Sequence, residues 1–253
     1  MTNRAEDVVV MNVIEKNTFF AQVMKKKINL KEYFEAMKLK INDLNIRIFH
    51  FNMIQVNTLV CYDETKSGVI VDPGMSSKEE EQMLLDFITK EGIDVKYIIN
   101  THPHIDHVLG NDFCVKTFRA PLVAHEEGLS IYKNSASYGA SFGFPSYDYP
   151  MPDIFIKDGE ELRFGNQIWK ALYTPGHANG SVCFYDEKNK FVIVGDVLFA
   201  GSIGRTDLPT GNFHQLIQSI NEKLLTLGDE VLVISGHAET TTIGNEKMNN
   251  PYL

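Results

Sequence analysis

Residues 101–107 read THPHIDH, three histidines, an aspartate and a proline directly behind the apolar run YIIN. Imidazole and carboxylate are the side chains that bind divalent metals or move protons near neutral pH, so this heptad is dense in usable chemistry. A single histidine at a strand end is usually just a satisfied polar group. Four further chemically able residues repeat the same placement: Asp72 follows GVIV, His177 follows IWKALY, Asp196 follows FVIVG and His237 follows VLVISG. Glycine or proline accompanies most of them (DPG, HPH, PGH, GD, GH), as expected where a strand must stop and project a side chain. If these strands share one architecture, the groups converge at the carboxyl edge of the sheets, where α/β folds build their sites. His50 within an alternating strand, His125 before an acidic helix start and His214 beside a helix N-cap are expected to be structural.

The elements that position these residues follow from hydrophobic period. From about residue 44 onward, short β-branched runs alternate with longer helical stretches, which predicts an α/β fold. IRIFHF, NTLVCY, GVIV, VKYIIN, LVA (122–124), IWKALY, SVCFYD, FVIVGD and VLVIS read as strands. Helices are expected after Ser76 or Ser77, ending at Gly92, from about His107 to Phe118, and from about Phe213 to Leu227. Residues 133–152 carry Ser, Gly and Pro with Tyr138, Phe142, Phe144, Tyr147 and Tyr149. They show neither period and are expected to be a long loop covering the site, its aromatics packing on a substrate.

Composition bounds the rest. The 253 residues suffice for one large domain, and 43% hydrophobic with 23% charged residues is ordinary for a globular protein. Residues 1–43, rich in Lys and Asn with a weak helical pattern in KEYFEAMKLK, are expected to be an N-terminal extension without chemistry, ahead of a catalytic domain over 44–253. The net charge of −9 argues against nucleic acid or an anionic membrane as partner. No run is long enough to span a bilayer, and no secretory signal is expected. Cys61, Cys114 and Cys183 have no CxxC spacing, which points to a reducing, cytoplasmic setting and a small-molecule substrate.

HPHIDH is an HxHxDH motif, and with Asp72, His177, Asp196 and His237 in chain order it resembles the metallo-β-lactamase superfamily over roughly residues 44–253. The resemblance implies a four-layer αβ/βα sandwich. It implies a first metal on His102, His104 and His177, a second on Asp106, His107 and His237, and Asp196 as the bridge. Asp72 would orient a ligand histidine, and Asp106 is also the candidate catalytic carboxylate. One or two zinc ions are expected, with iron or manganese compatible with the same donors. Two divalent ions outweigh the charge of Asp106, Asp196 and a metal-bound hydroxide, leaving a positive site suited to an oxyanion.

GDVLFAGSIGRTDLPTG (195–211) and the ending SGHAETTTIGNEKMNNPYL resemble glyoxalase-II-like proteins, the hydroxyacylglutathione hydrolases. That subgroup implies hydrolysis of small thioesters, with Arg205 standing where a substrate-carboxylate lysine is found. The chain runs only a short way past His237, so the helical domain that grips glutathione in full-length glyoxalase II is not expected. Persulfide dioxygenases, which use one iron on the equivalents of His102, His177 and Asp196, share the GRTD stretch and are the alternative.

Overall fold

The computed structural model describes residues 38–141, 143–144 and 149–253. Lys40–Leu253 form one compact unit. Residues 31–37 of KEYFEAMKLK lie outside the described residues, and Lys38–Ile41 form a strand.

The first sheet runs in chain order through β1 (Lys38–Ile41), β2 (Leu44–Phe51), β3 (Val56–Tyr62), β4 (Ser67–Val71), β5 (Asp94–Ile99), β6 (Leu122–Ala124) and β7 (Ile154–Phe155). The β2–β3 and β3–β4 pairs are antiparallel, and from β4 to β7 the pairs are parallel. The second sheet contains β8 (Glu161–Phe164), β9 (Gln167–Tyr173), β10 (Val182–Asp186) and β11 (Phe191–Gly195). A small ribbon, β12 (Leu198–Phe199) with β13 (Ser202–Ile203), interrupts the chain. The second sheet is then completed by β14 (Leu232–Ser235), parallel to β11, and β15 (Thr241–Thr242).

Burial explains why the core strands read as continuous apolar runs. Every residue of β3 and of β11 is buried, which requires cover on both faces. Val56, Val60 and Tyr62 on one face of β3 pack with Leu84 and Ile88 of α1 (Lys78–Glu91), Val108 of α2 (Ile105–Val108) and Cys114 of α3 (Asn111–Phe118). Val192 and Val194 on one face of β11 pack with Leu216 of α5 (Phe213–Ser219) and Ile243 of α6 (Ile243–Asn249). Leu59, Cys61, Phe191 and Ile193 point to the opposite faces and are equally buried. Trp169, fully buried, packs edge-on against Phe164 and Phe191 on that inner side. The order helix, sheet, sheet, helix is the αβ/βα sandwich that the sequence implied.

Local signals account for the helix ends. Ser77 accepts from the Glu80 amide as N-cap, Glu79–Glu81 sit in the first turn, and Gly92 closes the helix with φ +66°. The stretch expected to be one helix from His107 to Phe118 is two: α2 starts at Ile105, and α3 begins at Asn111 after a break at 109–110. The helix expected to reach Leu227 ends as α at Ser219 and continues as a π turn to Leu224.

One expectation is overturned. Of residues 133–152, expected to be loop, 133–141 belong to helix α4 (Leu129–Ser141). Ser, Asn and Gly are poor helix formers, which is why the sequence shows no helical signal. Tertiary contacts supply what propensity lacks. Tyr132 is buried, with its hydroxyl donating to Pro150 O at 2.7 Å and accepting from Asn111 Nδ2 at 3.0 Å. Ser135 Oγ donates to Pro103 O, and Phe144 closes the helix end by donating its amide to Gly139 O. The described aromatics of this stretch, Phe144 and Tyr149, pack into the first core rather than over a substrate. Phe142 and Tyr147 lie outside the described residues.

If the Tyr132 hydroxyl fastens α4, Tyr132→Phe should lower unfolding free energy by about 1–3 kcal/mol, since buried Asn111 and half-buried Pro150 lose it. Urea unfolding would measure this. A loss near zero would show that α4 is held by apolar packing alone.

Candidate metal centre

The groups singled out in the sequence meet at the carboxyl ends of the strands. Asp72 leaves β4, the 101–107 segment leaves β5, His177 follows β9, Asp196 follows β11 and His237 follows β14. Two sets of donor atoms lie within 4.8 Å of one another, His102, His104 and His177, and Asp106, His107 and His237. His177 Nε2 stands 2.9 Å from His104 Nδ1, and His237 Nε2 stands 3.1 Å from Asp106 Oδ2. Asp196 lies between the sets: its Oδ2 is 3.8 Å from His177 Nε2 and 3.7 Å from His237 Nε2. His50, His125 and His214 join neither set. His125 instead accepts from the Glu127 amide and stacks on Tyr173, with ring centroids 4.2 Å apart.

The second ring nitrogen of most of these histidines is held by a protein group. His107 Nδ1 donates to Asp72 Oδ2 at 2.9 Å. His102 Nδ1 donates to Thr101 Oγ1, which itself donates to Asp72 Oδ2. His177 Nδ1 donates to Arg205 O, and His237 Nδ1 to Gln55 O. Each bond fixes the ring orientation and turns Nε2 toward the cluster. Asp72 does this for His107 as expected, and through Thr101 it reaches His102 as well. Thr101 stands inside the THPHIDH stretch but was given no role by sequence. Gln55 and Arg205 act here through backbone oxygens, for which sequence offers no signal.

Close approach dictates a glycine here. A Cβ on Gly236 would stand 2.3 Å from Asp196 Oδ1 and 2.7 Å from His107 Cε1, so the chain before His237 passes where no side chain fits.

The electrostatics divide the cluster. Burial, reinforced by neighbouring imidazoles, holds His102 far below the usual histidine range. Burial likewise brings His104 and His177 to about 4 against the pull of Asp106 and Asp196 respectively, so these rings are neutral at pH 7. For His107, burial favours the neutral ring, but Asp106, Asp72 and Asp196 together outweigh it and push the group up to about 10. Burial would raise Asp106, yet His107 and His237 hold it below the carboxylate range. Three carboxylates, Asp72, Asp106 and Asp196, thus surround His107 and favour positive charge at its position.

Metal ions fit these residues. His102 Nε2 and Asp196 Oδ1 are buried polar atoms with no hydrogen-bond partner, a costly condition unless a ligand satisfies them. Neutral imidazoles and carboxylates suit zinc, iron or manganese, and the cysteines are buried and free, outside the donor sets. Asp106, Asp196, His104, His177 and His237 border a cavity of about 700 Å³, so the donors face open space rather than a closed structural site. Ile54, Ile131, Leu208 and Pro209 give it apolar lining. Ser130, Asn134 and Ser137 of α4 add an uncharged polar stripe, so this segment does border the site, as a helix. Arg205 also borders the cavity, with its guanidinium in a two-pronged pair with Asp207 at 2.7 Å.

A two-sheet sandwich carrying paired histidine–aspartate donor sets at its strand ends defines a metal-centre fold. The sequence matches the metallo-β-lactamase superfamily over residues 53–237, and the chain belongs to that superfamily. It is 35% identical over 216 residues to hydroxyacylglutathione hydrolase GloC of Haemophilus influenzae, covering 83% of this chain and 98% of that protein. Its fold is similar to that of TTHA1623 in a di-iron-bound form, with TM-score 0.74 and 32% identity, over 81% of this chain and 99% of the other. ETHE1 from Myxococcus xanthus is similar with TM-score 0.67 and 27% identity, over 81% and 83% of the two chains.

If Asp196 joins the two sets, Asp196→Ala should lower metal content after loading, whereas His125→Ala should leave it unchanged. Metal analysis on folded protein decides. Equal losses from the two substitutions would show that the donor assignment is wrong.

Proposed function

We propose that the chain is a hydrolase of small thioesters working at a two-ion centre. His102, His104 and His177 hold one ion, Asp106, His107 and His237 hold the other, and Asp196 bridges. The observation that carries this reading is the position of Asp196, within 3.8 Å of a histidine of each set and open to a large cavity. The similarity to the Haemophilus influenzae hydrolase supports the thioester class. Zinc is the ion we assign first, with iron or manganese served by the same donors. Among the described residues no helix is long and apolar enough to cross a membrane. The three free, buried cysteines support a cytoplasmic setting.

Bound there, divalent ions would supply an activated water and a Lewis acid for the thioester carbonyl. The protein's part is orientation. Asp72 and Thr101 fix the rings of His107 and His102, and the Arg205 carbonyl fixes His177. Asp106, held ionised, contributes negative charge on the cavity side of His237. The thiolate leaving group, with a thiol pKa of about 8.5, departs without a protein acid. Ile54, Ile131, Leu208 and Pro209 supply an apolar wall that excludes water from the acyl and thiol groups.

Arg205 is assigned to an anionic group of the substrate at the cavity wall, in exchange for its present partner Asp207. Arg205→Met is then expected to raise KM for an anionic thioester about fivefold more than for a neutral one, the modest size reflecting its exposure. Equal effects would reduce Arg205 to a surface partner of Asp207.

The second reading is oxygen-dependent oxidation of a persulfide at a single iron on His102, His177 and Asp196. What favours it is that these three residues are in place, with His177 Nε2 3.8 Å from Asp196 Oδ2. Metal-loaded protein is expected to release thiol from an S-2-hydroxyacyl thioester without consuming oxygen. Oxygen uptake with glutathione persulfide by the iron-loaded form, with negligible thioester cleavage, would replace the hydrolase by this alternative.

A further inference from the structure

The two donor sets are supported from different places. Hydrogen bonds on the first set come from Thr101 and from the Arg205 carbonyl. The second set is gripped in addition by the turn joining β2 and β3. Asn52 Nδ2 donates to Asp106 O at 3.1 Å and to Gly74 O at 2.9 Å. Gln55 O accepts from His237 Nδ1. Asn57 holds the His237 loop on both sides. Its side-chain Nδ2 donates to Ser235 O at 2.9 Å and Ala238 O at 3.0 Å, and its amide donates to Gly236 O at 2.7 Å. Asn52 and Asn57 are both buried.

Backbone strain marks the same contact. Ala238, directly after His237, has φ +60°, and Asn52 and Gln55 have φ +55° and +63°. An alanine in the left-handed region persists only where its surroundings impose it, and the Asn57 amide is a group that does so. Without that side-chain amide, which donates to Ala238 O, Ala238 can relax toward ordinary backbone, and His237 turns with it.

We propose that the β2–β3 turn, together with the first residues of β3, sets the affinity of the second ion independently of the first, and so decides whether the centre works with one ion or two. Asn57 and Asn52 are its positioning residues: they touch neither ion nor substrate, and act through the His237 loop and the Asp106 carbonyl. The inference rests on the two-ion reading above. It gives that reading a device, because the count of bound ions is what separates thioester hydrolysis from single-iron oxidation at these donors.

The test is a zinc titration of metal-free protein followed by dissociation constant and stoichiometry, repeated with cobalt and read by its visible absorption. Asn57→Ala is expected to keep one ion at wild-type affinity and to weaken the second about 10- to 100-fold, the usual effect of losing a group that orients a ligand. Asn52→Gly is a second variant, chosen because glycine tolerates φ +55° and removes only the side-chain bonds. It is expected to give the same selective loss. Asn189→Ala is the control. Asn189 is equally buried, bonded to Gln167 and Asp186 away from the donors, and its variant should bind both ions normally however much stability it loses. Unchanged second-ion affinity in Asn57→Ala and Asn52→Gly, or equal weakening of both ions, overturns the proposal. A wild type that takes up one ion only in the same titration overturns the two-ion reading itself, and the inference with it.

Discussion

The carboxylate of Asp72 is the interaction on which the site depends. It is 2% exposed and accepts from Thr101 N, Thr101 Oγ1 and His107 Nδ1 at 2.7, 2.7 and 2.9 Å. Its two oxygens accept from N–H and O–H donors, and an acceptor so placed dictates the direction of the bonds around it. Thr101 Oγ1 must donate to Asp72, so its lone pair is left for His102, and His102 must present Nε2 to the cluster. One acid therefore sets a ring in each donor set. Its own backbone is constrained too: Asp72 has φ +49°, while Thr58 Oγ1 donates to its carbonyl at 2.6 Å.

That arrangement demands sheets that end together. Asp72 and the histidine segment leave adjacent parallel strands of the first sheet, and Asp196 and His237 leave adjacent parallel strands of the second. Parallel neighbours deliver their carboxyl ends to the same edge, which antiparallel neighbours cannot do. The edges are joined across the sandwich by Gly236, whose amide donates to Gly195 O and whose carbonyl accepts from Asn57 of the first sheet. Burial of both sheet faces keeps these ends from drifting, since interiors packed at this density resist displacement.

The candidate donors and the fold were legible for a common reason. His102, His104, His177, Asp196 and His237 each follow an apolar run beside glycine or proline, so residue type and location are both written locally. An α/β fold was legible from β-branched runs alternating with helical stretches, and the αβ/βα sandwich from the resemblance carried by the HxHxDH motif. Helix α4 was not, because Lys133–Ser141 is helical through partners such as Pro103, Asn111 and Pro150 that lie elsewhere in the chain. The short β8 and the strands β12, β13 and β15 are likewise pairings, not periods. Asn52 and Asn57 look like ordinary turn and strand asparagines, and their meaning comes from carbonyls some 20 to 180 positions away in sequence.

The asymmetry of the cluster carries a consequence for chemistry. The first set is made of three neutral rings and binds an ion without first losing a proton. The second holds a buried His107 charged by the surrounding acids, so an ion bound there must displace that proton. The β2–β3 turn acts at that second position, on the carbonyl of Asp106 and on the backbone around His237. On the two-ion reading, two substitutable asparagines thus stand at the point where a shared donor set can diverge between one-ion and two-ion chemistry.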